Sequence, residues 1–157
     1  DYLQHMFEEK EQRDHIRVQF IGDRTPLARD IQKLMAEAEQ ETCTNTDMVL
    51  NIAINYGGRD EILHSVRQLC QLVKKGTLEP EQITQESISH YLYTADQPDP
   101  DLIIRPSGEL RTSNFLVWQG SYSELIFLDV LWPDFTPEHL QASLREYASR
   151  NRRFGGI

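Results

Sequence analysis

The chain has 157 residues, with 16 Lys and Arg against 25 Asp and Glu, a formal net charge of −9. That is enough for one domain with its own core, and the acidic balance, with no basic stripe to override it, argues against nucleic acid as a partner. No segment approaches the ~20 apolar residues of a membrane-spanning helix, and no secretory signal is readable in a text that starts at Asp1 rather than Met.

Tyr2 to Arg13 is polar and helix-favouring. After His15, the alternation of Ile16, Val18 and Phe20 with Arg17 and Gln19 predicts a strand ending at Gly22. Thr25-Pro26 reads as a cap and first-turn proline for a helix carrying Ile31, Leu34, Met35 and Ala38. Met48 to Ile54 is a second strand, closed by Asn55-Tyr56-Gly57-Gly58. An amphipathic helix follows, with Ile62, Val66, Leu69, Cys70 and Val73 on one face and Gly76 as its stop. Glu79 to Tyr93 holds one or two short helices, and Thr94 to Pro100 is a loop. Leu102 to Ile104 is a short buried strand and Leu125 to Val130 another. Pro137 to Arg150 is a last helix with Leu140, Leu144 and Tyr147 inward.

Alternating strands and helices predict an α/β fold, a mainly parallel sheet surrounded by helices, in a single domain without repeats or linkers. Ligands of such sheets gather at the carboxyl ends of the strands. Four loops belong there: Gly22-Asp23-Arg24, Asn55 to Arg59, Arg105 to Asn114, and Trp132-Pro133-Asp134.

The stretch IIRPSGELRTSNFLVWQ, Ile103 to Gln119, carries the chemistry. Arg105 and Arg111 are local cations on an acidic body, with Ser107, Thr112 and Ser113 close by in sequence. Forked guanidiniums and hydroxyls suit the oxygens of a small anion such as a phosphate, and a short helix opening at SNFLVW would add its positive end. The plain alternative is a solvated loop whose arginines pair with Glu109 or Asp101. Asn55 to Arg59 matches no phosphate-loop pattern and reads as a glycine turn. Glu124, at the mouth of a strand, is a candidate Mg²⁺ ligand, although a surface glutamate is the commoner case. The five histidines lack metal-ligand spacing, no GxSxG is present, and Trp118 and Trp132 read as core. Cys43 and Cys70 have neither CxxC spacing nor a histidine cluster beside them, as expected of buried or idle thiols in a reducing compartment.

Four strings occur in order: NIAINYGGRDEI (Asn51 to Ile62), DLIIRPSGELRTSNFLVWQ (Asp101 to Gln119), SELIFLDVLWPDF (Ser123 to Phe135) and RNRRFGG (Arg150 to Gly156). Together they resemble the cis-prenyltransferase family, in particular its bacterial undecaprenyl diphosphate synthase type, over nearly the whole chain. The resemblance implies a homodimeric transferase that adds isopentenyl diphosphate to an allylic diphosphate, starting from farnesyl diphosphate, with cis geometry and Mg²⁺. It implies that Arg105, Arg111 and Ser113, with Thr112 between them, grip the diphosphate of isopentenyl diphosphate, and that Glu124 helps hold Mg²⁺. Arg152-Arg153-Phe154-Gly155-Gly156 would reach across the dimer. Met48, Leu50 and Ile52 are candidates for the wall of an apolar product tunnel, or for ordinary core. The location implied is cytoplasmic, peripheral to the membrane that receives the product.

The family opens with a strand and a DGNGRWA-like loop whose aspartate serves the allylic diphosphate, followed by an SxENW-like string; neither is present here. Residues 1–157 are therefore expected to be the C-terminal portion of one cis-prenyltransferase domain, with no catalytic residue of its own and the DGNxR-type loop lying elsewhere. Leu110 stands where many relatives carry histidine. A non-catalytic partner subunit of a cis-prenyltransferase complex is the alternative, although an intact arginine string is superfluous there. A generic phosphate-binding α/β domain explains the arginines but not four strings in order.

Overall fold

A computed structural model describes residues 15–150, so the helix expected over Tyr2 to Arg13 and the terminal RRFGG lie outside the described residues. The elements follow in chain order: β1 (Ile16–Ile21), α1 (Arg29–Thr42), β2 (Met48–Ala53), α2 (Gly58–Lys74), α3 (Gln85–His90), β3 (Leu102–Arg105), β4 (Glu124–Phe127) and α4 (Pro137–Ser149). Short 3₁₀ turns lie at Pro80–Gln82, Gln119–Tyr122 and Trp132–Asp134. The expected parallel sheet takes the form of two parallel pairs, β1 with β2 and β3 with β4. Ile16 lies opposite Met48 in one, and Leu102 opposite Glu124 in the other.

Alternation along β1 decides the core. Val18 and Phe20 face α1 and pack with Met35 and Ala38, joined by Ile16, Leu27, Ile31, Ile52 and Ile54. Side chains satisfy the outer edge of β1. Val18 N–H donates to Thr42 Oγ1 (3.0 Å) and Phe20 N–H to Glu39 Oε1 (2.9 Å). Asn45 Nδ2 donates to Ile16 O (2.9 Å) and Arg24 Nη2 to Phe20 O (2.7 Å). An edge closed in this way offers no free ladder to another strand. Arg24, one of the candidate loop cations, is held there by both oxygens of Glu39, at 2.8 and 2.6 Å.

Several sequence expectations are corrected. Thr25-Pro26 does not start α1, which begins at Arg29 after Ala28. Thr25 instead donates its N–H and hydroxyl to Asp23 Oδ1 (2.9 and 2.7 Å), and Leu27 N–H closes onto Arg24 O, so a turn uses up the proposed cap. The buried stripe of α2 is Gly58, Glu61, Ser65 and Leu69, while Val66 and Cys70 are exposed. A polar contact fixes this rotation: Ser65 Oγ donates to Ile88 O of α3 (2.8 Å). In α4 the buried residue is Ser143, while Leu140 and Leu144 are exposed and Tyr147 is half-buried. Trp132 is 72% exposed and therefore not core. Strand β3 is half-buried along its length, and β4 ends at Phe127. Gly76 does end α2, in the left-handed conformation (φ 71°) that glycine adopts without strain.

The Arg24–Glu39 contact predicts an acid response. Burial works against the charged carboxyl of Glu39, but hydrogen bonds from Arg24 and the Phe20 N–H outweigh it, and the group titrates below its ordinary value. Folding thus favours the ionised form. Its contribution is complete above the ordinary glutamate range and fades as pH falls through the lowered value. Glu39→Gln is expected to lower the melting temperature at neutral pH and to flatten its decline in acid. Melting curves that fall in parallel with the wild type through the acid range would reject this role.

Candidate functional site

Strand β3 delivers Arg105 to its carboxyl end, and the chain then turns at Pro106-Ser107-Gly108. This turn sits on the exit of β4: Ser107 N–H donates to Val130 O (2.7 Å) and Gly108 N–H to Leu128 O (2.9 Å). Gly108 has φ 69°, the left-handed region that glycine adopts without strain, and its open side leaves room for the Asp129 carboxylate, whose Oδ1 would lie 2.8 Å from an added Cβ. Arg105 Nη1 then donates to Arg111 O and to Ser113 Oγ (3.0 Å), folding the loop around the guanidinium. Arg105 is half-buried, whereas Arg111, Thr112 and Ser113 are exposed. Arg105, Arg111 and Ser113 are therefore brought together. The plain reading holds in one respect, since Arg111 Nη1 pairs with Glu109.

The helix expected at SNFLVW does not form. Residues 113–118 are turns, with φ at +50° for Ser113, +65° for Asn114 and +45° for Leu116. The segment therefore supplies no helix end of its own; the helix end that meets this loop is the N-terminus of α2, at Asn114. Beneath the arginines lies an apolar cavity of about 240 Å³, lined by Ile103, Arg105, Arg111, Phe115, Leu125 and Phe127 among others. A cation pair on the rim of an apolar cavity suits a ligand with an anionic head and a short hydrocarbon tail.

Glu124 lies at the other end of the strand pair. It is opposite Leu102, while Arg105 is opposite Phe127, so roughly 10 Å of strand separates them. Its carboxylate accepts from Arg150 Nη1 at 2.7 Å, and Arg150 also pairs with Glu146. Hydrogen bonds from Arg150, first to Glu124 and then to Glu146, raise the guanidinium's pKa further. No group of three or more His, Cys, Asp or Glu among the described residues could hold a metal ion.

Residues outside the sequence candidates hold the loop. Asn114 O accepts from Gly58 N–H (2.7 Å) and its Oδ1 from Arg59 N–H (2.9 Å), so the arginine loop caps α2. Added Cβ atoms would fall 2.8 Å from Asn114 Nδ2 at Gly57 and 2.8 Å from Val117 Cγ2 at Gly58, which explains both glycines of the NYGG string. Glu61, 0% exposed, accepts from Tyr56 O–H, from Tyr93 N–H (2.7 Å) and from Gln119 Nε2 (3.1 Å to each oxygen). Burial, followed by the bond to Glu61, pushes the Tyr56 phenol well above its ordinary range. Tyr56 also meets Phe115 edge-on, at 5.7 Å between ring centres. The loops converge as the α/β pattern requires, since Asp23 N–H donates to Asn55 O and Asn55 Nδ2 returns to Asp23 O. Isolated polar positions such as Glu61 and Asn114 give no periodic signal in sequence; the glycine pair beside them was the readable sign.

The family model described as "Putative undecaprenyl diphosphate synthase" matches residues 1–155. The chain belongs to this family. It is 54% identical over 145 residues to an isoprenyl transferase of Rhizobium meliloti (strain 1021), covering 92% of this chain and 59% of that relative. With the isoprenyl transferase of Bacillus subtilis (strain 168), identity is 46% over 156 residues, covering 99% and 58%. Among solved structures, lavandulyl diphosphate synthase from Lavandula x intermedia, in complex with dimethylallyl diphosphate, has a TM-score of 0.88 at 33% identity, covering 98% of this chain and 64% of that one. A probable undecaprenyl diphosphate synthase from Campylobacter jejuni has a TM-score of 0.82 at 31% identity, covering 98% and 69%. The chain thus spans under three-fifths of the length of these two curated relatives.

Glu61→Leu is expected to destabilise the fold by about 2–4 kcal/mol, because the Tyr56 hydroxyl, the Tyr93 N–H and the Gln119 amide lose their acceptor. Denaturant unfolding within 0.5 kcal/mol of wild type, the range typical of exposed sites, would contradict the role given to Glu61.

Proposed function

We propose that this chain supplies the isopentenyl diphosphate site of a cis-prenyltransferase. The reaction is condensation of isopentenyl diphosphate with an allylic diphosphate, farnesyl diphosphate at the start, in cis geometry to give a long polyprenyl diphosphate. One observation carries the reading: Arg105, Arg111 and Thr112 line an apolar cavity, and Ser113 is joined to Arg105 by a hydrogen bond. The guanidiniums take the diphosphate oxygens, Ser113 and Thr112 offer hydroxyl donors, and the cavity takes the five-carbon tail. Among the described residues Arg105 uses Nη1 within the loop, which leaves Nη2 and Nε to face a ligand. Arg111 turns from Glu109 to the diphosphate. This diphosphate stays on the product, and the one that departs is the allylic partner's, so the donors on this loop bind and orient isopentenyl diphosphate for attack.

Support comes from relatives named isoprenyl transferase and from the plant enzyme's complex with dimethylallyl diphosphate, itself an allylic diphosphate. The DGNxR-type loop for the allylic partner belongs, in this proposal, to a longer chain of which residues 1–157 form the later part. A homodimer fits the apolar side chains exposed at Leu131, Trp132, Leu140 and Leu144. Met48 and Leu50, 51% and 38% exposed, are the proposed tunnel wall, whereas Ile52 packs into the core. No described helix is long and apolar enough to cross a membrane, and a cytoplasmic enzyme touching the membrane only to release product is part of the proposal.

Family membership suggests a metal requirement in general, and Mg²⁺ is the proposed ion. The described residues do not form a cage for it, which suits an ion bound chiefly through substrate phosphates. A metal role for Glu124 requires its carboxylate to leave Arg150. Magnesium titration of full-length Glu124→Gln tests this: a raised Mg²⁺ requirement supports the role, and coincident curves remove it.

In the full-length enzyme Arg111→Ala should raise the KM for isopentenyl diphosphate about ten- to a hundredfold, the cost of a charge-assisted contact. The KM for farnesyl diphosphate should change little. An unaltered KM and turnover with isopentenyl diphosphate would overturn the proposed function.

A further inference from the structure

The N-terminus of α2 has no side-chain cap of its own, because Gly57 stands at the capping position. Its first two amides are satisfied from 55 or more residues away. Asn114 O takes Gly58 N–H at 2.7 Å, and Asn114 Oδ1 takes Arg59 N–H at 2.9 Å. The residue just before it, Ser113, is the one that accepts from Arg105 Nη1 at 3.0 Å. Ser113 and Asn114 both have positive φ, 50° and 65°, so the chain reverses sharply between the arginine contact and the helix contact. A loop held in two consecutive left-handed residues, neither of them glycine, persists only where its surroundings fix it. The fixing contacts here are the two α2 amides.

We infer that Asn114 is a positioning residue for the diphosphate site. By docking on the N-terminus of α2 it sets where Ser113, and through Ser113 Arg105, meet the ligand. The inference rests on the isopentenyl diphosphate reading above. It also gives Gly57 a task. Gly57 has ordinary extended backbone (φ −150°), yet a Cβ there would lie 2.8 Å from Asn114 Nδ2 and 3.0 Å from Asp60 Oδ2. The missing side chain leaves room for the Asn114 amide, so the NYGG string and the RTSN string are two halves of one contact. Asn114 touches no ligand in this account. It acts through Ser113.

The test uses the full-length enzyme with steady-state kinetics for both substrates, and with the variants Asn114→Ala, Gly57→Ala, the double variant and Arg111→Ala. Asn114→Ala should raise the KM for isopentenyl diphosphate about tenfold, with kcat and the KM for farnesyl diphosphate nearly unchanged, because misplacing a binding group by a fraction of an ångström is felt at the site. Gly57→Ala should reproduce that rise by pushing the amide away. The double variant should be no worse than Asn114→Ala, since the pushed group is then gone; independent effects would multiply to about a hundredfold instead. A helix cap without a positioning task would lower the melting temperature of Asn114→Ala and Gly57→Ala with KM unchanged, and that outcome overturns the inference. If Asn114→Ala does not fold, Asn114→Ser, which keeps the backbone acceptor and a short side-chain oxygen, is expected to show a smaller rise in the same KM; no rise at all overturns the inference equally. Arg111→Ala separates the two levels. A raised KM there with unchanged KM in the Asn114 variants rejects the positioning role alone, whereas an unchanged KM in Arg111→Ala rejects the site reading and this inference together.

Discussion

A carboxylate with no solvent exposure has to be satisfied by its neighbours, and Glu61 organises much of the site for that reason. A buried charge without donors is too costly to keep. Its donors come from three separate stretches: the Tyr56 hydroxyl before α2, the Tyr93 amide after α3, and the Gln119 side chain at the end of the arginine loop. Gln119 Nε2 also reaches Thr94 Oγ1 at 2.9 Å, which draws the loop ahead of β3 into the same knot. Once these contacts form, the segment between Arg105 and Gln119 has fixed ends. Its first half lies on the exit of β4 and its middle on the N-terminus of α2. The arginines stand on a loop of turns, but it is pinned along its length. That is how irregular backbone can present a defined anion site.

The same constraint explains which parts of the fold were readable in the sequence. Strands β1 and β2 were legible because alternation and glycine closures are local signals, and β1 came out where Ile16, Val18 and Phe20 placed it. The extent of α2 was legible from its periodicity and from Gly76, but its orientation was not. Of the expected face, Ile62, Val66, Leu69, Cys70 and Val73, only Leu69 is fully buried, and the rest of the buried stripe passes through Gly58, Glu61 and Ser65. Hydrophobic periodicity assumes that the inward face is apolar, and here polar contacts with partners distant in sequence decided it. Thr25-Pro26 failed for a related reason. A threonine ahead of a helical pattern signals a cap, yet Asp23, two residues earlier, captured it first.

At the candidate site, the arginines stood out in the sequence as a cluster of cations, and the order of the four strings marked the family. The supporting residues were not. Asn114 looked like one more polar loop residue, and its value comes from two amides more than 50 positions away. Glu124 was singled out by its string, and what the sequence did not show is its setting: opposite Leu102, at the end of the strand pair away from Arg105, with its carboxylate accepting from Arg150. Its metal role belongs to the proposed function.

In the proposed function, the arginine loop takes the charge of one ligand and the adjoining cavity its hydrocarbon. A crystal structure of the full-length enzyme with isopentenyl diphosphate tests this most directly. The account predicts diphosphate oxygens at about 3 Å, hydrogen-bond distance, from Arg105, Arg111 and Ser113, with the tail lying against Phe115 and Phe127. Density for the diphosphate elsewhere, for example beside His64 and Arg67 in the cavity of about 570 Å³ at the ends of β1 and β2, with Arg111 still paired to Glu109, would contradict it.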